Sequence, residues 1–360
     1  MDRKREIDIL KALAIAGVIL IHVKSVSIDL YLKNSSPYLA LTFLDQAMRF
    51  SVPLFVALSG YTLALSYKNK PQSIKDFYRR RIVRILPYYF LATAIIYFYL
   101  RFVPPFSQIK NPYPLWEILF LGRADYHLYF IPMILSLYFA FPFLFPLVKK
   151  WPKATLAMAL AIQSAIFIST ALVFNGLVKF PFAWGDQQQY LVALTWIFYF
   201  VLGIGLSNID RFSAKNLNLA KTFGVLLAVS GLALTIFESF RILAAHQNLI
   251  EATRFTRFPV MLFATGVILV SVLFAKYLLR IPKFAVRFLA KAGLMSFSIY
   301  LLHTIAIRMI ILNVDVYPIS HFLIFAAASL AASFILAWIF EEILKIAKSF
   351  VQDLLPDKAH

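Results

Sequence analysis

Apolar residues fill this chain in long runs that recur from end to end. Ten runs lie at about 8–26, 49–67, 86–103, 128–148, 154–174, 190–207, 222–239, 258–277, 294–313 and 319–344. Each approaches the ~20 residues that an α-helix needs to cross a bilayer. The pattern predicts an all-α polytopic membrane protein with about ten transmembrane helices around a central pore. Basic residues fall on alternate loops between the runs. Residues 68–84 carry seven basic side chains and one acid. The segments 149–153 and 276–291 are basic with no acid, and 208–221 holds Arg211, Lys215 and Lys221. Lys and Arg accumulate on cytoplasmic loops. These four loops, the N-terminus and, with ten spans, the C-terminal tail are therefore expected in the cytoplasm of a multi-pass protein of the cell (plasma or inner) membrane.

The intervening loops at 27–48, 104–127, 175–189 and 240–257 are longer and mixed, and a short interfacial helix is expected at Leu115–Leu121. No internal repeat is visible, and no hydrophilic stretch is long enough for a second soluble domain. The expected division is one membrane domain over 1–348 and a short cytoplasmic tail over 349–360.

Composition agrees with the pattern. The 360 residues are 61% hydrophobic and 15% charged, against about 45–50% and about 25% in soluble domains. Mean hydropathy is +0.77. A net charge of +19 in a soluble protein would suggest nucleic acid. In a membrane protein the positive-inside rule accounts for much of it, so no nucleic-acid partner is expected; membrane lipid or an anionic cofactor can use the rest. Cysteine is absent, which excludes a thiolate nucleophile, a disulfide and Cys-ligated metal. The six histidines share no metal-ligand spacing, so no metal is expected. The N-terminal DRKRE and its apolar run resemble a signal peptide, but no small-residue cleavage site follows. The run is expected to remain as the first span.

Polar side chains inside spans cost about 3 kcal/mol each unless satisfied, so they carry the functional signal. In the first run, Lys11 and His22 are eleven residues apart, face nearly the same way on a helix and lie roughly 16 Å apart along its axis. Asp8 sits one turn before Lys11, where an ion pair can form. The plainer reading makes Asp8 and Lys11 interfacial anchors and His22 a far-end cap. Arg49 opens the second run, and Ser59-Gly60-Tyr61 lies within it; close helix packing is the plainer reading there. Arg81 and Arg84 share a helix face before the third run. Such a pair suits a phosphate-bearing ligand, where a simple anchor would touch lipid headgroups only. His127 and Tyr129 open the fourth run, where an aromatic belt is the alternative. In the ninth run Ser296, Tyr300 and His303 share a face, with Arg308 deeper toward the outer side. A satisfied core histidine is the plainer reading of His303. Intramembrane acids are few, which counts against an ion-coupled transporter.

These residues, in this order, resemble acyltransferase family 3, integral-membrane enzymes that modify surface glycans and other exported acceptors. The matches are Asp8-x2-Lys11-x10-His22, Arg49 with SVPLFVALSGY at 51–61, and Arg81-x2-Arg84 with Ile85 and Pro87. They continue with His127-Leu-Tyr-Phe followed by Pro132, Tyr138 and Pro142, and with Ser298-Ile-Tyr300-Leu-Leu-His303. They cover nearly the whole chain. Lys11 stands where the family often has Arg, Tyr129 where it often has Trp, and no C-terminal hydrolase-like domain is expected.

The resemblance implies an acyl-CoA donor, usually acetyl-CoA, and a hydroxyl or amine acceptor, most often on a carbohydrate. His22 would be the general base, with Asp8, Lys11, Tyr300 and His303 beside it in the catalytic set. Tyr300, Ser59 or His303 would supply an oxyanion donor. Arg81, Arg84 and Lys11 would bind the cofactor, and Arg49, Ser59, His127, Tyr129 and Arg308 the acceptor. An acyl-His22 intermediate is the mechanistic variant. Two other classes fit the same pattern. A transporter or flippase of a surface-glycan intermediate would show flux without thioester consumption, and a non-catalytic partner of an export machine would bind neither CoA nor acceptor.

Overall fold

The computed structural model describes residues 4–70, 73–106, 111–175, 177, 192–209, 213–246, 248–313 and 319–354. The described elements are all helical. In order they are α1 (Arg5–Ser27), α2 (Ser36–Met48), α3 (Ser51–Asn69), α4 (Ile74–Phe102), α5 (Leu115–Phe120), α6 (Phe130–Lys150) and α7 (Pro152–Phe174). There follow α8 (Ile197–Leu206), α9 (Ala214–His246), α10 (Leu249–Ala252), α11 (Phe258–Leu273), α12 (Lys283–Leu294), α13 (Ser296–Ile311) and α14 (Ile319–Leu354). Single 3₁₀ segments occupy Ile28–Leu30, Ala193–Trp196 and Ala275–Arg280.

Among the described residues, each of the ten apolar runs falls on helical structure; residues 190 and 191 of the sixth run lie outside the described residues. Seven helical stretches among the described residues are long and apolar enough to cross a membrane, and the bent pair α12–α13 makes an eighth. The segment Ala193–Leu206 and α11 are apolar but shorter. Burial separates interior from periphery. In α1 and in the α2–α3 stretch, 61% of the most apolar window is buried, against 22% in α4, α7 and α9. The first run is thus an inner helix, packed against α2, α3, α12, α13 and α14, with Asp8 and Lys24 buried and Lys11 and His22 half-buried.

Two segments read as loops are helices. Within 27–48, Ser35 accepts from the Tyr38 N–H as an N-cap, with Pro37 in the first turn, and starts α2. α2 runs almost directly into α3 and carries Asp45 and Arg49 to the middle of the molecule. Within 276–291, Pro282 precedes α12, whose axis is bent by 81° from α13. α14 continues to Leu354.

Close backbone contacts hold the inner helices. A Cβ on Gly203 of α8 would strike the Ala57 carbonyl of α3, and one on Gly60 would strike the Phe200 carbonyl in return. α8 is buried along almost its whole length. At the end of the bundle that carries the N-terminus, the basic end, a Cβ on Gly293 would strike the Asp8 carbonyl, so α12 lies directly on α1.

Candidate active site

α1, the turn before α6, and α13 bring three imidazoles together. His22 projects from α1 toward α13, and its ring centroid lies 5.1 Å from that of His303 and 5.0 Å from that of Tyr126. The His127 ring meets His303 edge-on at 4.8 Å and Tyr300 at 5.5 Å. Burial distinguishes the three: His303 is 0% and His127 2% exposed, whereas His22 is half-buried and keeps accessible surface. Tyr126, against His22, is 44% exposed.

Local chemistry places each ring. Gly122 ends α5 with φ +70°, the left-handed conformation that glycine adopts without a Cβ penalty. The chain turns there, Arg123 pairs with Glu117 at 2.6 Å, and Asp125, Tyr126 and His127 are turned inward. His127 Nε2 lies 3.3 Å from the Leu301 carbonyl and Nδ1 3.5 Å from Asp125 Oδ2, so both nitrogens face acceptors. His303 Nδ1 lies 2.6 Å from the carbonyl of Tyr300, one turn back. A carbonyl only accepts, so Nδ1 carries the hydrogen and Nε2 of the neutral ring presents a lone pair. That Nε2 is buried and has no hydrogen-bond partner among the described residues.

Arg308 fixes the cluster from the next turns of α13, donating to both Asp125 oxygens at 2.6 and 2.9 Å. Burial alone would push the Asp125 carboxyl up, but His127 and Arg308 outweigh it and hold the group well below the usual carboxylate range. The Arg308 fork is the stronger partner on geometry, because 3.5 Å to His127 is an electrostatic contact rather than a good hydrogen bond.

A second buried network adjoins the first. Asp45 is fully buried and accepts from Arg49 Nε at 2.8 Å, Arg49 Nη2 at 2.6 Å and Gln46 Nε2 at 2.8 Å, with Lys24 at 3.5 Å. Arg257 donates to the Gln46 side-chain oxygen, to Ser239 at 3.0 Å and to Glu238 at 3.0 Å. Asp45 and Arg49 are near enough for their charges to act on His22. Arg257 also lines a cavity of about 420 Å³ with Glu238, Arg241 and Arg254 between α7, α9 and α11.

The expected site residues therefore form separate groups. His22, His127, His303, Tyr300 and Arg308 come together, with Tyr129 half-buried beside them. The Tyr300 hydroxyl donates to the His127 carbonyl, so it braces the cluster and is already committed. Asp8 and Lys11 pair at 3.7 Å near the basic end, roughly 20 Å along α1 from His22. Ser59 lies near Tyr138, which is in the field of Arg81 and Arg84. The Arg81 guanidinium stands 5.2 Å from the Phe77 ring, and its buried Nε has no hydrogen-bond partner among the described residues. Arg84 is exposed.

The sequence reading missed Asp125, Tyr126, Lys24, Asp45, Gln46 and Arg257. Intramembrane acids are few along the sequence, yet both networks centre on a buried aspartate. The available signals were short-range: Asp125 two residues before His127, Asp45 one helical turn before Arg49, and Lys24 two after His22.

A family model for an acyltransferase domain, that of acyltransferase family 3, matches residues 4–338. Comparison with curated proteins finds no match, and comparison with solved structures finds none.

Proposed function

The chain belongs to acyltransferase family 3, and from that membership we propose that it carries an acyl group, acetyl in the simplest case, from cytoplasmic acyl-CoA to a hydroxyl or amine of a cell-surface or exported carbohydrate. Membership and its apolar helices make it a membrane acyltransferase. The single observation that supports the finer reading is the accessibility of His22 within a ring of buried groups. A general base has to reach the proton it removes, and His303 and His127 are almost fully buried.

In this reading His22 takes the proton of the acceptor hydroxyl as that oxygen bonds to the thioester carbonyl carbon. The carbon–sulfur bond then breaks, and CoA leaves as the thiol with that proton. His303 positions His22 by ring contact, its centroid 5.1 Å away, and a neutral His22 keeps one bare nitrogen with which to take the acceptor's proton. Asp125 and Arg308 hold His127 behind this pair. With Tyr300 committed to a backbone carbonyl and both His127 nitrogens facing acceptors, a hydroxyl from Tyr126 is left to meet the developing oxyanion.

Arg81, with Arg84 and Lys11, binds the CoA phosphates at the cytoplasmic, basic end, and Arg81 Nε is the unsatisfied buried donor that favours an anion there. The pantetheine arm then covers the roughly 16 Å from Lys11 to His22. Arg49, Ser59 and Tyr129 remain proposed contacts of the acceptor. The test is purified protein with acyl-labelled acetyl-CoA and an oligosaccharide acceptor. His22→Ala is expected to lower transfer by about 10²–10⁴-fold, the range for a positioned base. Full transfer by His22→Ala removes the assigned base, and glycan flux without thioester consumption replaces the enzyme by a transporter.

A further inference from the structure

α12 has a geometry that the acyl-transfer chemistry does not use. Its axis is bent by 81° from α13. If α13 runs through the bilayer, α12 lies along the membrane surface. Lys283, Arg287 and Lys291 recur every fourth residue and are all exposed, so they form one stripe. Phe284 and Phe288 form a second stripe about 100° round the helix, and they are 76% and 57% exposed. Val286 and Gly293 are buried on the opposite side, where Gly293 rests on the backbone of Asp8.

A helix with one face on the protein, an aromatic stripe directed away and cations between is built for an interface. The phenyl rings enter the acyl-chain boundary while the long basic side chains remain among the headgroups. The sign of the charge selects the lipid: from Lys276 to Lys291 there are five basic residues and no acid. We propose that α12 binds anionic phospholipid headgroups of the leaflet at the basic end along the Lys283–Arg287–Lys291 stripe, and thereby clamps α12 onto the start of α1. The proposal does not depend on the identity of donor or acceptor.

The experiment uses the purified full chain in neutral detergent without any acyl donor. Its thermal midpoint is followed by tryptophan fluorescence during titration with dioctanoyl phosphatidylglycerol or dioctanoyl phosphatidylcholine. Phosphatidylglycerol is expected to raise the midpoint at concentrations where phosphatidylcholine does not, because a ligand of the native state stabilises it. Combined Lys283→Gln, Arg287→Gln and Lys291→Gln should move the half-maximal phosphatidylglycerol concentration up on the order of a hundredfold, and Arg287→Gln alone about fivefold, should the triple variant not fold. A charge-matched control, Lys149→Gln, Lys150→Gln and Lys153→Gln, should keep the original response. Three results overturn the proposal: no phosphatidylglycerol shift, equal losses in the two triple variants, or an equal shift with glycerol phosphate lacking acyl chains.

Discussion

A carboxylate inside a membrane protein persists only where cations or donors meet it, and Asp125 satisfies that condition through the two-pronged contact from Arg308. Asp125→Ala leaves the Arg308 guanidinium enclosed without its anion. The expected cost is about 3–5 kcal/mol of stability, the range for breaking one side of a buried pair, read as a fall in the denaturation midpoint. Its pH dependence has a definite sign. The folded group sits below the usual carboxylate range, and an unfolded Asp titrates near 3.9. Its contribution is therefore fully present above about pH 4 and is lost as pH falls toward the folded value. Between pH 8 and 5 the wild type and Asp125→Asn should show parallel stability curves, and below about pH 4 the two should converge. Divergence confined to the neutral range would mean that another group supplies the effect. At this scale the sequence was half legible. His22, His127 and His303 stood out because an imidazole is costly within an apolar run. Asp125 lay in a polar-looking turn, and nothing local states that α13 will carry Arg308 to it.

At the scale of elements, α3 and α8 make the closest approach of the inner bundle, and one helix supplies both the test and its control. Gly203→Ala places a methyl group against the Ala57 carbonyl, whereas a Cβ on Gly205 meets nothing within 4 Å. Gly203→Ala is expected to cost about 1–3 kcal/mol as overpacking. Gly205→Ala should be neutral or stabilising by up to about 1 kcal/mol, since alanine favours a helix interior over glycine. Detergent thermal melts of the two variants read the difference, and equal destabilisation would show that glycine flexibility, rather than the contact, matters in α8. The apolar runs made the helices themselves legible because a spanning helix has to be hydrophobic over most of its length. α2 and α12 escaped for the converse reason. α12 repeats a cation every fourth residue, which lowers any running hydropathy average, and α2 places Asp45 and Gln46 where a spanning segment would be apolar. α12 leans on neighbouring helices on one side, so the other half of its circumference is free to be polar, whereas α2 buries Asp45 and Gln46 in the network with Arg49 and Arg257.

The whole molecule turns on parity. Seven helices that meet the length of a span would leave the two termini on opposite sides of the membrane. Counting α12–α13 gives eight, and adding the two shorter apolar helices, Ala193–Leu206 and α11, gives 8 + 2 = 10; either even number returns the chain to the side where it began. The short helices are the elements in question, because the 16 residues of α11, and equally the 16 of α13 once α12 lies along the surface, cover only about 24 Å of a core near 30 Å. For Ala193–Leu206, burial resolves the mismatch: α8 is enclosed by protein along almost all of its length, so its ends need not reach the headgroups. The mixed segment 240–257 lies on the opposite side from the basic segments 208–221 and 276–291 only under the ten-span count. Because the chain has no cysteine, single introduced thiols can be mapped without background. Lys150→Cys and Lys283→Cys should resist a membrane-impermeant maleimide in intact cells and react after permeabilisation. Leu115→Cys and Ile250→Cys, both on exposed positions of the mixed segments, should react in intact cells. Labelling of Lys283→Cys from outside, with Lys150→Cys protected, would turn one short helix into a re-entrant element and put α12 on the wrong leaflet. Arg81 precedes Lys150 in the chain and would keep its side, so that result would overturn the lipid-binding role of α12 and leave the proposed route past Arg81 to His22 in place.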